Sequence, residues 1–94
     1  MIRIRRINGD SMKPFLQPSQ IVIGRMFVRR PSVGKVVFFR HDGIEKIKRI
    51  TDVRDGSVYV LGDNNTYSTD SRDFGWIDCE CIEALLIWPR AERK

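Results

Sequence analysis

Hydrophobic and polar residues alternate along much of the first half of the chain, which is the spacing of β-strands. His41, Asp42 and Gly43 supply turn residues for a hairpin, and Asp55-Gly56 supplies a second turn. On either side of these turns and between them, alternation and short apolar runs predict strands at residues 2–5, 20–28, 35–40, 44–53 and 58–61. The pattern therefore predicts a mainly β fold.

The second half contains one long polar stretch, residues 64–73. Because Asn, Thr, Ser and Asp contribute little to a core, we interpret it as an ordered functional loop. Pro14 and Pro18 restrict the segment after Ser11 to short turns or one helical turn. The remaining elements expected are a short strand at 74–77, a helical turn at 78–82, a buried strand at 84–88 and a frayed tail at 89–94.

A length of 94 residues with 41% hydrophobic content predicts one compact domain, residues 1–94. No apolar run approaches the roughly 18 to 20 residues that cross a bilayer, so no membrane anchor is expected. Cys79 and Cys81 are too close together for a favourable disulfide, and two ligands alone make a weak metal site. We expect ordinary thiols, no metal, no cofactor and a cytoplasmic location.

The chain carries 17 basic and 12 acidic side chains, for a formal net charge of +5. Such a charge brings an acidic protein, nucleic acid and an anionic membrane surface into consideration as partners. The basic residues are spread from Arg3 to Lys94 and do not form one helix or tail. No nucleic-acid partner is therefore expected, and the charge is interpreted as a basic surface.

Ser11 lies in a segment suited to a nucleophile, residues 9–14 (GDSMKP). Gly9 permits unusual backbone dihedrals before it, and Pro14 stiffens the turn after it. A nucleophilic serine also needs a base within hydrogen-bond reach and donors for the oxyanion that forms. On this segment alone, an ordinary turn or N-cap serine is the competing interpretation.

Candidate bases for such a serine are the histidine at 41 and the lysines of the predicted strand 44–53. His41 is expected in an exposed hairpin turn, where it would be poorly oriented. A buried lysine can replace histidine, because burial disfavours the charged ammonium and lowers its pKa. Lys46 and Lys48 share a strand face at period two, so their spacing does not separate them, and both fit a solvated lysine row as well.

The most specific polar pattern spans residues 62–72 (GDNNTYSTDSR). An Asx-rich loop would explain its Gly, Asp and Asn content but has no need for its Ser-x-Asp-Ser-Arg ending. Within that ending, Ser68 can hold the neutral amine of a lysine. Asp70 and Arg72 can form an ion pair that fixes the shape of the loop.

Three motifs follow one another along the chain: residues 9–14, the Lys48-Arg49 pair and residues 62–72. In this order, they resemble the motifs of the signal peptidase family of Ser-Lys proteases. The resemblance covers residues 7–88 and implies a signal-peptidase-like catalytic β-fold. By the family pattern, Ser11 is the nucleophile and Lys48, the lysine followed by arginine, is the general base. Ser68 orients that lysine, and Asp70 and Arg72 support the loop. Gly9 and Asp10 join the supporting or oxyanion set, in which backbone amides, including that of Ser11, are the main donors.

The same resemblance assigns substrate contacts to Met12, Pro14 and Phe15. Phe15 stands where many members have threonine, so it is expected to reshape a nearby pocket. Gly34-Lys35 replaces the family's Gly-Asp, and neither an anchor nor a large inserted domain is seen. The chain thus looks most like soluble peptidases associated with maturation of nickel-type superoxide dismutase, whose partner is a precursor protein with a cleavable amino-terminal leader.

Two other functions remain open on the sequence. A self-cleaving domain of the type fused to SOS-response repressors also pairs Ser-Met with a later lysine. A basic β-module without catalytic activity could instead bind nucleic acid or an acidic protein.

Overall fold

The structure is a computed structural model that describes residues 1–26, 31–64, 66 and 69–90. One antiparallel sheet has the strand order β1-β2-β7-β3-β4-β5-β6. Its strands are β1 Ile2–Arg6, β2 Ile21–Met26, β3 Val36–His41, β4 Ile44–Arg54, β5 Ser57–Leu61, β6 Ile77–Asp78 and β7 Ile82–Trp88. A short helix, α1 (Ser71–Phe74), and a 3₁₀ turn at Cys79–Cys81 also occur. The prediction of a mainly β fold with short helical turns is confirmed.

The hairpin between β3 and β4 turns at the residues that the sequence indicated. Asp42 and Gly43 both have positive φ, 52° and 76°, and His41 lies opposite Ile44. Positive φ at both central residues matches the right-handed twist of the flanking strands. In the turn between β4 and β5, Gly56 has positive φ (74°), whereas Asp55 before it does not.

Apolar side chains cover both faces of the sheet, and β3 contributes to each face. Val36 and Phe38 belong to one cluster, while Val37 and Phe39 belong to the other. A strand buried on both faces reads as a continuous apolar run, which is why β3 lacks alternation. The remaining buried members of the first cluster are Ile7, Met12, Leu16, Val22, Ala84 and Leu86. Those of the second are Ile50, Val58, Val60, Ile77 and Ile82.

The segment after the polar motif differs from its prediction. The strand expected over 74–77 is wrong for its first three residues, because Phe74 ends α1, Gly75 caps that helix with φ of 82°, and β6 begins only at Ile77. The side chain of Asp70 caps the amino end of α1 in a capping box with Asp73. The polar ending of the motif is thus also a helix-start signal.

Trp88 also departs from the buried strand expected at 84–88, since 55% of its surface is exposed. The predicted tail is described only as far as Arg90, and residues 91–94 lie outside the described part. No helix among the described residues is long and apolar enough to cross a membrane.

One half of β4 has an unpaired edge, which positions the site described next. β5 pairs with β4 from Arg49 onward, whereas β3 pairs with β4 along residues 44–49. Among the described residues, no strand pairs with the other edge of 44–48. The end of β1 lies close by, because Arg5 Nε contacts Glu45 Oε1 at 2.7 Å. A cleft therefore runs between this half of β4 and the segment that leaves β1.

Candidate active site

Ser11 and Lys48 meet at the cleft, 37 residues apart in sequence. Lys48 Nζ lies 2.7 Å from Ser11 Oγ, within hydrogen-bond distance. Lys48 is only 5% exposed, and it lies opposite Val37 of the central strand β3. Of the two lysines that the sequence left as alternatives, the structure brings Lys48 to the serine.

Burial changes the acid–base behaviour of Lys48. Its pKa is lowered from 10.5 to about 8, chiefly because the charged amine loses water, with a smaller contribution from the positive charge of Lys46. Asp70 acts in the opposite direction, and Arg72 adds a small lowering effect. With a pKa of about 8, roughly a tenth of the amines are neutral at pH 7, against well under a thousandth for an ordinary lysine. A neutral amine can accept the proton of Ser11.

The turn that carries Ser11 is anchored in the first core cluster. Met12 is 2% exposed and Leu16 is fully buried, and the Leu16 N–H donates to the Met12 carbonyl at 2.9 Å. Gly9 enters the turn with φ of 88°, where a side chain would meet no atom within 4 Å. The backbone angle, and not a lack of space, makes glycine suitable there. Asp10 contributes its carbonyl, which accepts from the Lys13 N–H at 3.1 Å.

Asn64 ties the polar loop to this turn, a role that the sequence analysis did not assign. Its backbone N–H donates to the Ser11 carbonyl at 2.8 Å. Its side-chain Nδ2 donates to the Asp10 carbonyl at 3.1 Å. The sequence signal that could have indicated this role is the place of Asn64 in the Gly62-Asp63-Asn64 triplet. These two bonds hold the backbone of the serine in place.

Arg49 and Asp63 form a second connection that the sequence analysis missed. Arg49 Nε donates to Asp63 Oδ1 and Arg49 Nη2 donates to Asp63 Oδ2, both at 2.9 Å. Arg49 Nη1 donates to the Gly34 carbonyl at 2.8 Å. The two side chains are 11% and 5% exposed. Such a bidentate pair fixes direction as well as distance. Because Arg49 follows Lys48 in β4, the ion pair of Arg49 and Asp63 joins the strand that carries Lys48 to the polar loop.

Asp70 organises the far end of the loop, and it is completely buried. Its carboxylate accepts from the Gly62 N–H at 2.9 Å and from the Arg72 guanidinium at 2.9 and 3.0 Å. The neighbouring Ser71 Oγ accepts from the Val60 N–H at 2.8 Å. The bonds from Gly62 and Arg72 satisfy the Asp70 carboxylate, whose burial without partners would cost free energy of folding. Ser68, predicted to orient the lysine, lies outside the described residues.

A cavity of about 290 Å³ opens beside the pair of Ser11 and Lys48. Its lining residues are Arg5, Arg6, Ile7, Asn8, Ser11, Met12, Ile44, Glu45, Lys46, Ile47 and Lys48. Met12, a predicted substrate contact, is among them. Pro14 and Phe15 are not among the described lining residues, and the Phe15 ring instead lies under Arg49, 4.9 Å from its guanidinium carbon.

The other titratable candidates lie apart from this pair. His41 is stacked on Phe74, with ring centroids 4.3 Å apart, and is partly shielded instead of fully exposed. Cys79 and Cys81 are free thiols, and burial raises the pKa of the Cys79 thiol. Among the described residues, no group of three or more His, Cys, Asp or Glu side chains is placed to hold a metal ion.

The geometry is that of a serine with a partly neutral, buried lysine in an open cleft. Comparison with protein families matches residues 2–82 to the family described as Peptidase S24-like. A search of curated proteins found no match. The family match includes Ser11, Lys48 and the whole polar loop. It supports the wider grouping of signal peptidases and S24 peptidases that the motifs indicated, and the chain belongs to the Peptidase S24-like family.

Proposed function

We propose that this domain is a serine endopeptidase in which Ser11 is the nucleophile and Lys48 the general base. The observation that carries the proposal is the 2.7 Å contact between Ser11 Oγ and the amine of a lysine that is 5% exposed. A solvated lysine row would leave this amine charged and free of the serine. The family match supports a protease-like fold independently of that contact.

In the proposed reaction, neutral Lys48 takes the proton of Ser11 as the serine oxygen attacks a peptide carbonyl carbon. The resulting oxyanion is stabilised by backbone amides of the turn, including that of Ser11. Lys48, now an ammonium, returns its proton to the departing amine as the carbon–nitrogen bond breaks. Water then attacks the acyl-enzyme with Lys48 again as the base, which releases the second product and restores Ser11.

The substrate is proposed to bind as an extended strand along the unpaired edge of β4. Main-chain hydrogen bonds give such strand addition its affinity. A position beside β3 is excluded, because β3 is already paired with β4 on one side and β7 on the other. Residues 44–48 of β4 offer the edge that leads to Ser11, and Arg5 and Arg6 line the opposite side of the cavity.

We further propose that the substrate is a separate precursor protein whose amino-terminal leader is removed. Precursor processing of nickel-type superoxide dismutase is the most specific form of this proposal. The cavity beside Ser11, about 290 Å³, offers space for part of such a precursor segment. We also propose that this processing takes place in the cytoplasm.

The test is to map protein amino termini by mass spectrometry in cells that carry the normal chain or Ser11→Ala. We expect a defined set of termini to disappear in Ser11→Ala. Ser32→Ala is the matched control, because Ser32 is exposed and lies outside the cavity. The purified normal chain should also be labelled by a serine-directed phosphonate, while Ser11→Ala should not. Identical termini and no labelling, with folded protein, would reject the peptidase proposal in favour of a binding module.

A further inference from the structure

The cleft continues past the proposed catalytic pair along β4. A second cavity of about 250 Å³ shares Ile44 and Lys46 with the first. The other residues that line it are His41, Asp42, Thr69, Asp73 and Phe74. Lys46 therefore lies between the two cavities, two residues from Lys48 on the same strand face. The two cavities together form one groove, which we call the β4 groove.

The wall of the first cavity is rich in positive charge. Its lining includes Arg5, Arg6, Lys46 and Lys48 but a single carboxylate, Glu45, among the described residues. Glu45 is already engaged, since its oxygens lie 2.7 Å from Arg5 Nε and 3.3 Å from Arg3 Nη1. It is therefore not positioned to neutralise the amine of Lys46.

Among the described residues that line the second cavity, Lys46 also has no ionic partner. Asp42 lies 3.5 Å from His41 Nε2, and an oxygen of Asp73 accepts from the Asp70 N–H at 3.1 Å. Within the described part of the chain, no carboxylate lies within 4.0 Å of the Lys46 amine. Lys46 is nonetheless only partly exposed. A partly shielded cation without a partner favours an anionic ligand in the groove.

We propose that Lys46 binds an acidic side chain of the substrate, two residues away along the strand from the residue presented to Ser11. This inference rests on the proposed function for the position of the substrate. Side chains on one face of a strand repeat every two residues, about 6.6 to 6.8 Å apart. A substrate strand paired with β4 that presents one residue beside Lys48 presents the next residue on that face beside Lys46. Lys46 is then a specificity-determining residue that neither attacks the substrate nor transfers a proton, and it acts on the reaction only through its charge near Lys48.

Binding to the Ser11→Ala variant tests this inference without cleavage. The probes are fluorescent alanine- and serine-based peptides with one Glu, Gln or Lys placed two residues before or after the central residue. In one of these positions, we expect the Glu peptide to bind about 1.4- to fivefold more tightly than the Gln peptide, the range for an opposite-charge cross-strand pair. This preference should shrink as the salt concentration rises.

Matched variants in the Ser11→Ala background assign the preference to one amine. Lys46→Gln should abolish the preference for Glu, and Lys46→Glu should reverse it toward the Lys peptide. Arg25→Gln also removes one positive charge, but Arg25 lines neither cavity, so it should leave the preference unchanged. Equal binding of all peptides, no detectable binding, or a preference for Glu that survives Lys46→Gln overturns the inference.

Catalytic measurements separate recognition from an indirect effect of Lys46 on the base. Removing the charge of Lys46 removes one cause of the lowered pKa of Lys48. The pH–rate profile should therefore shift to higher pH, by the same amount for every peptide. Loss of recognition should instead change the Glu-to-Gln ratio of kcat/KM at every pH. A shift of the profile with an unchanged ratio rejects recognition but leaves the peptidase proposal standing. The peptidase proposal is decided separately, by the Ser11→Ala comparison.

Discussion

Activity should rise with pH as Lys48 loses its proton. Its pKa of about 8 in the folded protein predicts that the neutral fraction is roughly 1% at pH 6, 10% at pH 7 and 90% at pH 9. If the neutral amine is required, kcat/KM should increase about tenfold for each pH unit below 8 and level off above 9. With an ordinary lysine pKa of 10.5, the neutral fraction, and hence the activity, would be roughly 160-fold lower at pH 8 and roughly 300-fold lower at pH 6.

The assay is the rate of covalent labelling by a serine-directed phosphonate across this pH range, because it reports the reactivity of Ser11 without a known substrate. Circular dichroism at each pH checks that the protein stays folded. Ser32→Ala should reproduce the normal profile, and Lys48→Ala should remove the limb that rises with pH. A profile that is flat from pH 6 to 9, or one that persists in Lys48→Ala, would refute Lys48 as the base.

Three further predictions concern stability. Because the pKa of Lys48 is lower in the folded than in the unfolded chain, the unfolded state binds more protons between pH 8 and 10.5, so stability should rise with pH across that window. Lys48→Met removes the buried charge, so it should stabilise the protein by about 1 to 3 kcal/mol at pH 7 in urea unfolding. The gain should fade toward pH 10.5, and an equal gain at every pH would show that it does not come from the buried charge. Asp63→Ala leaves the Arg49 guanidinium without its bidentate carboxylate and should cost about 3 to 5 kcal/mol by the same measurement, whereas a cost near zero would show that the pair is not a structural connection. Asn64→Ala removes two side-chain bonds, one to the Asp10 carbonyl and one from the Thr66 N–H, so it should cost about 1 to 3 kcal/mol. It should also reduce phosphonate labelling, and unchanged labelling would mean that the Asn64 side chain does not position the serine.

Local signals in the sequence were sufficient for most of the sheet. Alternation and the glycines at 43 and 56 located β1 to β5 within a few residues, because strand period and positive-φ turns are properties of short segments. Helix α1 was missed because the same Asp and Ser residues suit both an Asx-rich loop and a helix cap. Capping contacts between Asp70 and Asp73 decide between these two in the structure.

The proposed catalytic pair was predictable only in part from the residues themselves. Strand period left Lys46 and Lys48 equivalent, and the resemblance to a known family was needed to choose between them. What separates them in the structure is tertiary: β5 begins to pair with β4 at Arg49, so the edge is open beside both lysines, but Ser11 reaches Lys48. The bidentate pair of Arg49 and Asp63 depends on the same long-range packing, and no spacing rule within one segment reveals it.

The polar loop is joined to both Ser11 and the neighbour of Lys48, the proposed nucleophile and base, through adjacent residues. Asp63 binds Arg49, which follows Lys48, and the Asn64 N–H donates to the carbonyl of Ser11. The relative position of Lys48 and Ser11 therefore depends on contacts among the dipeptides Lys48-Arg49 and Asp63-Asn64 and the turn that carries Ser11. None of these contacts involves the half of β4 that precedes Lys48. Substitutions along residues 44–46 can thus change substrate preference without breaking these contacts, and of the three only Lys46 is also a cause of the lowered pKa of Lys48. This end of the groove is therefore the place where related proteins could diverge in specificity or an engineer could intervene.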